Sequence, residues 1–268
     1  MKMKNNKNRK QRKPLHQTRE NASTAQTDFV YGNYAVEEAL EQERGNKLFI
    51  QEELSGRRID HLKNLAKDKK VPIQWVPKNK LDDLSDNGVH QGVVLGVTPY
   101  KYWGLEDLLK KVKNGDAPFL LVLDEIEDPH NFGSILRTAD AGGVDGVIVP
   151  KHRASGITSV VSKASTGAVE YMPIARVTNL SQTLSTLKEA GFWIFGTDVA
   201  GTNYTKWNAA GAVALIIGNE GKGVSAGLKK QVDEMLTIPM TGHVQSLNAG
   251  VAAGILIYEA FRQRGFSQ

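Results

Sequence analysis

Phe119-Leu120-Leu121-Val122-Leu123-Asp124-Glu125-Ile126-Glu127-Asp128-Pro129-His130-Asn131-Phe132-Gly133-Ser134-Ile135-Leu136-Arg137-Thr138-Ala139-Asp140 is the stretch on which the fold turns. Five consecutive apolar residues have the length of a buried strand, and a polar, acidic turn separates them from apolar residues at helical spacing. The same alternation continues from Pro118 onward. Strands are expected at 119–123, 146–149, 193–196, 213–217 and 235–238, with helices at 132–141, 158–165, 180–190, 225–232 and 246–262. Strand and helix in alternation predict an α/β domain, a mainly parallel sheet covered by helices. Ligands of such sheets gather at the carboxyl ends of the strands, so the chemistry is expected in the loops that follow them.

Upstream, the pattern is shorter and different. Tyr31-Gly32-Asn33 opens a helical stretch to Leu40, and Leu48-Phe49-Ile50 reads as a strand. Ile59, Leu62, Leu65 and Ala66 repeat at helical spacing. Residues 71–76 alternate as a strand, Pro72 favouring its start or a sheet edge, and Val93 to Val97 reads as a buried strand. The expected organisation is a basic tail at 1–28, a small α/β module at 29–98, a connector at 99–117 carrying one short helix at 105–112, and the main domain at 118–268.

The 268 residues carry a net charge of +5, and the first 19 hold eight basic side chains and no acid. The rest is therefore slightly acidic, and the tail is expected to be disordered and able to add phosphate contacts that carry no sequence information. Cysteine is absent, which excludes disulfides, thiolate metal sites and cysteine nucleophiles. Six histidines without paired spacing argue against a zinc site. No apolar run approaches the roughly 20 residues that span a bilayer, and no secretory signal is visible, so a cytoplasmic protein without a membrane partner is expected.

Three segments could carry chemistry. In the first, Asn131 stands at a natural N-cap position, and Gly133 lies one turn before Arg137, so a ligand could approach the guanidinium closely. An Arg137–Asp140 pair is the ordinary alternative. The second is Ile217-Gly218-Asn219-Glu220-Gly221-Lys222-Gly223. Its glycines follow a buried strand but match neither the P-loop nor the dinucleotide fingerprint, leaving a flat ligand against bare backbone or a plain tight turn. The third runs from Ile238-Pro239-Met240 through Ser246-Leu247-Asn248 to Gly254. Ser246 and Asn248 open a helix whose Gly250 and Gly254, one turn apart, allow another helix to pack closely.

Taken in order, Asn131-x-Gly133-x-x-x-Arg137-x-Ala139, Ile217-Gly218-x-Glu220-x-x-Gly223 and Ile238-Pro239-Met240 with Ser246-Leu247-Asn248 resemble the three motifs of the SpoU (TrmH) branch of the SPOUT methyltransferases. Tyr31-Gly32 and Val89-His90-Gln91-Gly92 resemble the ribosomal-protein-like RNA-binding domain of the subgroup that modifies large-subunit rRNA. The resemblance implies a trefoil knot, a homodimer, and S-adenosylmethionine as methyl donor, without a metal, for a ribose 2′-hydroxyl of ribosomal RNA, in that subgroup a guanosine's. It implies donor binding by Gly196, Thr197, Gly218, Ile238, Met240 and Leu247. Catalysis is implied for Arg137 with Asn131, Glu220, Ser246 and Asn248. A guanidinium scarcely deprotonates, so Arg137 suits stabilising the developing alkoxide and gripping the phosphate, with Glu220 the alternative proton acceptor. Relatives commonly carry Ser where this chain has Gly250.

Overall fold

The structure, a computed structural model, describes residues 28–113, 115 and 117–265. The tail expected at 1–28 lies, apart from Asp28, outside the described residues. The first unit contains β1 (Asp28–Tyr31), α1 (Asn33–Glu41), β2 (Gly45–Gln51), α2 (Arg57–Asp68), β3 (Ile73–Val76), α3 (Lys78–Leu84) and β4 (Val93–Val97). Its mixed sheet has the order β1-β4-β2-β3, with only β2 and β3 parallel. Val36, Leu40, Leu48, Ile50, Leu62 and Leu95 form the core between the sheet and helices α1 and α2. The expected elements are present. Those the pattern did not reveal are β1, four residues long, and α3, in which only Leu81 is buried.

The second unit is built on six parallel strands. It contains α4 (Leu105–Val112), β5 (Phe119–Leu123), α5 (Pro129–Ala141), β6 (Gly146–Pro150), α6 (Ser159–Ala164), β7 (Ile174–Val177) and α7 (Leu180–Glu189). These are followed by β8 (Trp193–Asn203), β9 (Val213–Ile217), α8 (Ala226–Lys229), β10 (Glu234–Thr237) and α9 (Ala249–Gln263). The strand order is β10-β8-β9-β5-β6-β7. Successive residues of β5 enter different cores: Leu121 and Leu123 pack with Phe132, Leu136 and Leu256, whereas Leu120 and Val122 pack with Ile148, Leu184 and Ile216. A strand covered on both faces must be apolar throughout, which is why β5 and β9 read as unbroken hydrophobic runs. Strand β7 escaped the reading because it is four residues long, ends the sheet and carries an exposed arginine, Arg176.

The stretch between the sheets does not hang free. Leu108 and Val112 of α4 enter the second core. Trp103 pairs through its backbone with the β7 edge, its N–H donating to Ile174 O (2.9 Å) and its carbonyl accepting from Arg176 N (3.3 Å).

Two helix starts, the length of a third helix and one strand end differ from expectation. Helix α5 is capped by Asp128, whose carboxylate accepts from His130 N at 2.9 Å, with Pro129 in the first turn. Pro lacks the N–H that would otherwise go unpaired there and fits the first turn, so the cap falls three residues before Asn131. Helix α9 starts at Ala249 because the Asn248 carboxamide accepts from Gly250 N and Val251 N, leaving Ser246 and Leu247 in the loop. Helix α8 is a single turn. Strand β8 continues to Asn203 through an irregularity: Gly196 pairs with Met235, and the next pairing, Thr202 with Leu236, leaves residues 197–201 looped outward. Gly201 permits this, since a Cβ there would stand 2.3 Å from Met235 O.

Candidate active site

The loops after β5, β8, β9 and β10 converge at one end of the sheet. Asp124, buried at the end of β5, accepts from Ser225 N at 2.7 Å, while its own N–H donates to Ile217 O at 2.9 Å. These bonds tie the first loop to the glycine loop after β9. Within that loop Asn219 Oδ1 accepts from Gly221 N (3.0 Å) and Lys222 N (3.2 Å), and its Nδ2 donates to Glu125 O (3.1 Å). An Asx side chain bonding the backbone two residues on is a turn device. The loop then folds onto Gly218 so closely that a Cβ there would lie 2.3 Å from Gly223 C and Val224 N.

Asn131, Glu220 and Asn248, one from each segment, close a triangle. Asn131 Nδ2 donates to Glu220 Oε1 at 2.8 Å, and Asn248 Nδ2 donates to Asn131 Oδ1 at 2.7 Å and to Glu220 Oε1 at 2.8 Å. Ala249 N reaches the same carboxylate oxygen at 3.1 Å. Asn131 is free to join because Asp128 does the capping. By accepting three N–H donors, Glu220 Oε1 acts as a strut between the three segments.

Arg137 stands apart from the triangle. It is exposed, and six residues along an α-helix place it about 9 Å along the axis from Asn131. Among the described residues no hydrogen bond or ion pair engages it, and the Arg137–Asp140 pair is not formed. Asp140 is instead shifted upward in pKa by partial burial. Gly133 does not open space beneath Arg137. It faces α6, where a Cβ would lie 2.4 Å from Ala164 Cβ and 3.0 Å from Ser165 N. Gly250 and Gly254 do admit a helix, namely α5: a Cβ at Gly250 would be 3.1 Å from Ser134 Oγ, and one at Gly254 3.7 Å from Thr138 Cγ2.

A cavity of about 340 Å³ lies beside the triangle, within the usual range of small-molecule sites. Thr197, Gly218, Ile238, Met240, Ser246 and Leu247 line it. Gly196 does not; it is buried against Met235, whose Sδ would be 2.6 Å from a Cβ there. The reading missed Asp198 and Val199, which the outward loop of β8 brings to the wall, and Asn219, Gln245, Ala252 and Leu256. The Asn-x-Gly turn signal could have found Asn219; nothing in the local pattern marks the others. The Asp198 carboxyl is held below its ordinary pKa, chiefly by its hydrogen bond with Lys229.

The comparisons decide the family. Residues 118–258 match the model described as the SpoU rRNA Methylase family, and residues 29–103 match RNA 2′-O ribose methyltransferase substrate binding. The chain belongs to the SpoU methylase family. It is an RNA 2′-O-ribose methyltransferase. Bacillus subtilis YacO, named as a TrmH family tRNA/rRNA methyltransferase, is 47% identical over 242 residues, covering 89% of this chain and 97% of that one. Among solved structures, the SpoU methyltransferase AviRb from Streptomyces viridochromogenes, in complex with AdoMet, gives a TM-score of 0.76 at 27% identity, covering 89% of this chain and 90% of that one. An AdoMet-bound rRNA methyltransferase from Sinorhizobium meliloti gives 0.73 at 26%, covering 88% and 87%. A TrmH/SpoU tRNA-modifying enzyme from A. aeolicus gives 0.52 at 32%, covering 60% of this chain and 82% of that one. No helix among the described residues is long and apolar enough to cross a membrane.

Proposed function

We propose that the chain methylates the ribose 2′-hydroxyl of a guanosine in large-subunit ribosomal RNA, with S-adenosylmethionine as donor. The observation that carries the ribosomal reading is the N-terminal sheet unit. The rRNA-modifying relative from S. meliloti aligns over 88% of this chain, whereas the tRNA-modifying one aligns over 60%. Residues 29–98 then hold the RNA and residues 118–268 the donor.

The cavity suits this donor by its chemistry. Backbone at Gly218 and the residues Leu236, Ile238, Leu247 and Ala252 give the cavity an apolar portion of wall suited to a neutral base. Asp198 and Glu220 put two carboxylates on the wall, the first paired with Lys229 and the second held by the triangle. When bound, the donor supplies a methyl group on a positively charged sulfur that is already a good leaving group. Thr197, Gly218, Ile238, Met240 and Leu247 bind and orient it, with Gly196 supporting the strand beneath.

The residues of the chain then have to activate a weakly acidic hydroxyl. Arg137, unpaired and exposed, stabilises the developing alkoxide and grips the neighbouring phosphate through its fork of N–H donors. Asn131, Glu220 and Asn248 hold the three loops in register, and Ser246 at the cavity wall contacts the reacting ribose. Alignment of attacking oxygen and methyl carbon supplies much of the rate. We also propose a cytoplasmic homodimer. Val251 and Tyr258, seven residues apart and exposed on one face of α9, support it. The proposed fold also contains a trefoil knot, supported by β10 lying at the sheet edge beyond β8 while α9, which follows, packs back onto α5.

The test is transfer of labelled methyl to unmodified ribosomal and transfer RNA in competition, with the product nucleotide mapped. Preferential labelling of tRNA would overturn the ribosomal assignment.

A further inference from the structure

The motifs Tyr31-Gly32 and Val89-His90-Gln91-Gly92 lie outside the cavity lining, and the structure shows what they build. Both meet helix α6 of the second unit. The Lys163 ammonium donates to Val89 O and stands 5.0 Å from the centre of the Tyr31 ring. A cation over an aromatic face is attracted by the ring's negative π-face. The Tyr31 ring is hemmed in by Gly88, where a Cβ would be 2.5 Å from Tyr31 Cζ. Gly32 turns the chain at φ +89°, a conformation that favours glycine, with Lys163 Cε in ordinary van der Waals range (3.8 Å) of where its Cβ would be. Gln91 Oε1 accepts from Asn33 N at 2.9 Å. Buried His90 braces the loop by accepting from Gly92 N (2.9 Å) on Nδ1 and pairing through Nε2 with Asp82 (3.0 Å).

The next residue on α6, Ala164, is the one that presses on Gly133 of α5. A continuous packed path therefore runs from the RNA-binding unit through Lys163 and Ala164 to the helix that carries Asn131 and Arg137. Partial burial lowers the pKa of Lys163, as expected of an ammonium withdrawn from water into this junction.

We propose that Lys163 is a positioning residue: its ammonium clasps the N-terminal unit onto α6 and thereby sets the path by which bound RNA reaches Arg137. This rests on the reading of the chain as an RNA methyltransferase with RNA on its N-terminal unit. A backbone carbonyl and an aromatic face together satisfy a lysine head group without a carboxylate, so the contact orients without locking the charge into a rigid ion pair. Small displacements of a reacting group are costly in rate, and a substrate held on one unit and modified on the other is exposed to such displacement.

The chain has no cysteine, so Asp68→Cys and Glu189→Cys, both on exposed positions of different units, can carry a pair of spin labels with no background. Pulsed dipolar spectroscopy should give one narrow distance in the otherwise unaltered protein. Lys163→Met keeps the apolar stem but removes the ammonium, and should broaden the distribution; Lys163→Arg should restore it. In methyl transfer to rRNA, Lys163→Met should lower kcat/KM about tenfold while S-adenosylmethionine affinity by calorimetry stays within about twofold of the parent, with Lys163→Arg again recovering. An unbroadened distribution in Lys163→Met would overturn the clasp, and a broadened one with unchanged kcat/KM would overturn its positioning role. If the parent protein transfers no methyl to any RNA, the functional reading falls while the distances still decide the clasp.

Discussion

The loop cluster at the strand ends and the junction along α6 both join segments distant in sequence, but by different chemistry. At the strand ends, two carboxamides and one carboxylate exchange hydrogen bonds until Asn131 and Asn248 have both ends of their side chains engaged. At the junction, contacts run through single long side chains: Lys163 on Val89 and Tyr31, Arg44 on Glu170, and Tyr171 on Glu38 and Glu41. A closed network of short side chains has few alternative arrangements, whereas long side chains on a domain boundary can let go one at a time. The difference teaches that the loop cluster is built for fixed geometry and the junction for alignment. It also singles out Arg137, which belongs to neither set of contacts and, on the function proposed above, is left for substrate.

The largest effect should come from breaking that reserve. Arg137→Ala should lower methyl transfer by about 10²–10³-fold, the range seen when one donor to a developing oxyanion is removed. Thermal unfolding should stay unchanged, because no protein partner is lost; a marked fall in Tm would refute the division drawn here. Next is the triangle. Glu220→Ala leaves two carboxamides and the Ala249 N–H without their acceptor and should cost about 1–3 kcal/mol of stability, measured by denaturant unfolding. Glu220→Gln retains an acceptor oxygen and should keep most stability and activity. Complete loss of transfer in Glu220→Gln with an intact fold would instead make the carboxylate the proton acceptor.

Gly133→Ala tests where the two regions meet. Its methyl would press on Ala164 and the α6 backbone, so a loss of about 1–3 kcal/mol is expected from overpacking, with kcat/KM for RNA falling and donor affinity held. Asn248→Ala should remove a helix cap worth about 1 kcal/mol together with one corner of the triangle. The smallest effect concerns Asp198. Its pKa is lowered in the folded protein, so its bond with Lys229 stabilises at neutral pH and is lost as pH falls through the folded value. The pair is partly exposed and screened by solvent, and Asp198→Asn should flatten the acid side of the stability–pH curve only slightly.

Much of this architecture was legible from residue order. The apolar runs of β5 and β9, the periodicity of α2 and the three polar segments after strands are local signals, and local signals survive in one dimension. The capping of α5 was also a local signal, but the expectation fell on Asn131 and the structure caps at Asp128. Asp128 followed by Pro129 outweighs Asn131, since Pro fits the first helical turn. Strand β7 and the outward loop of β8 were not legible because their pairing partners, not their own residues, make them strands. Gly133 and Gly250 could be recognised as sites of close approach, while the partner helix could not: each glycine is explained by a side chain more than 25 positions away.

Residue types by themselves determined which chemistry is available: no thiol, no phosphate loop, an arginine and two asparagines after buried strands. Tertiary structure decided how those groups are used. It turned Asn131 from a cap into one corner of a triangle, moved Asp198 onto the cavity wall and assigned the Tyr31 and Val89 motifs to the junction with Lys163. The physical reason is that hydrogen-bond donors and acceptors can be counted along a chain, but their partners are selected only when strands distant in sequence come side by side.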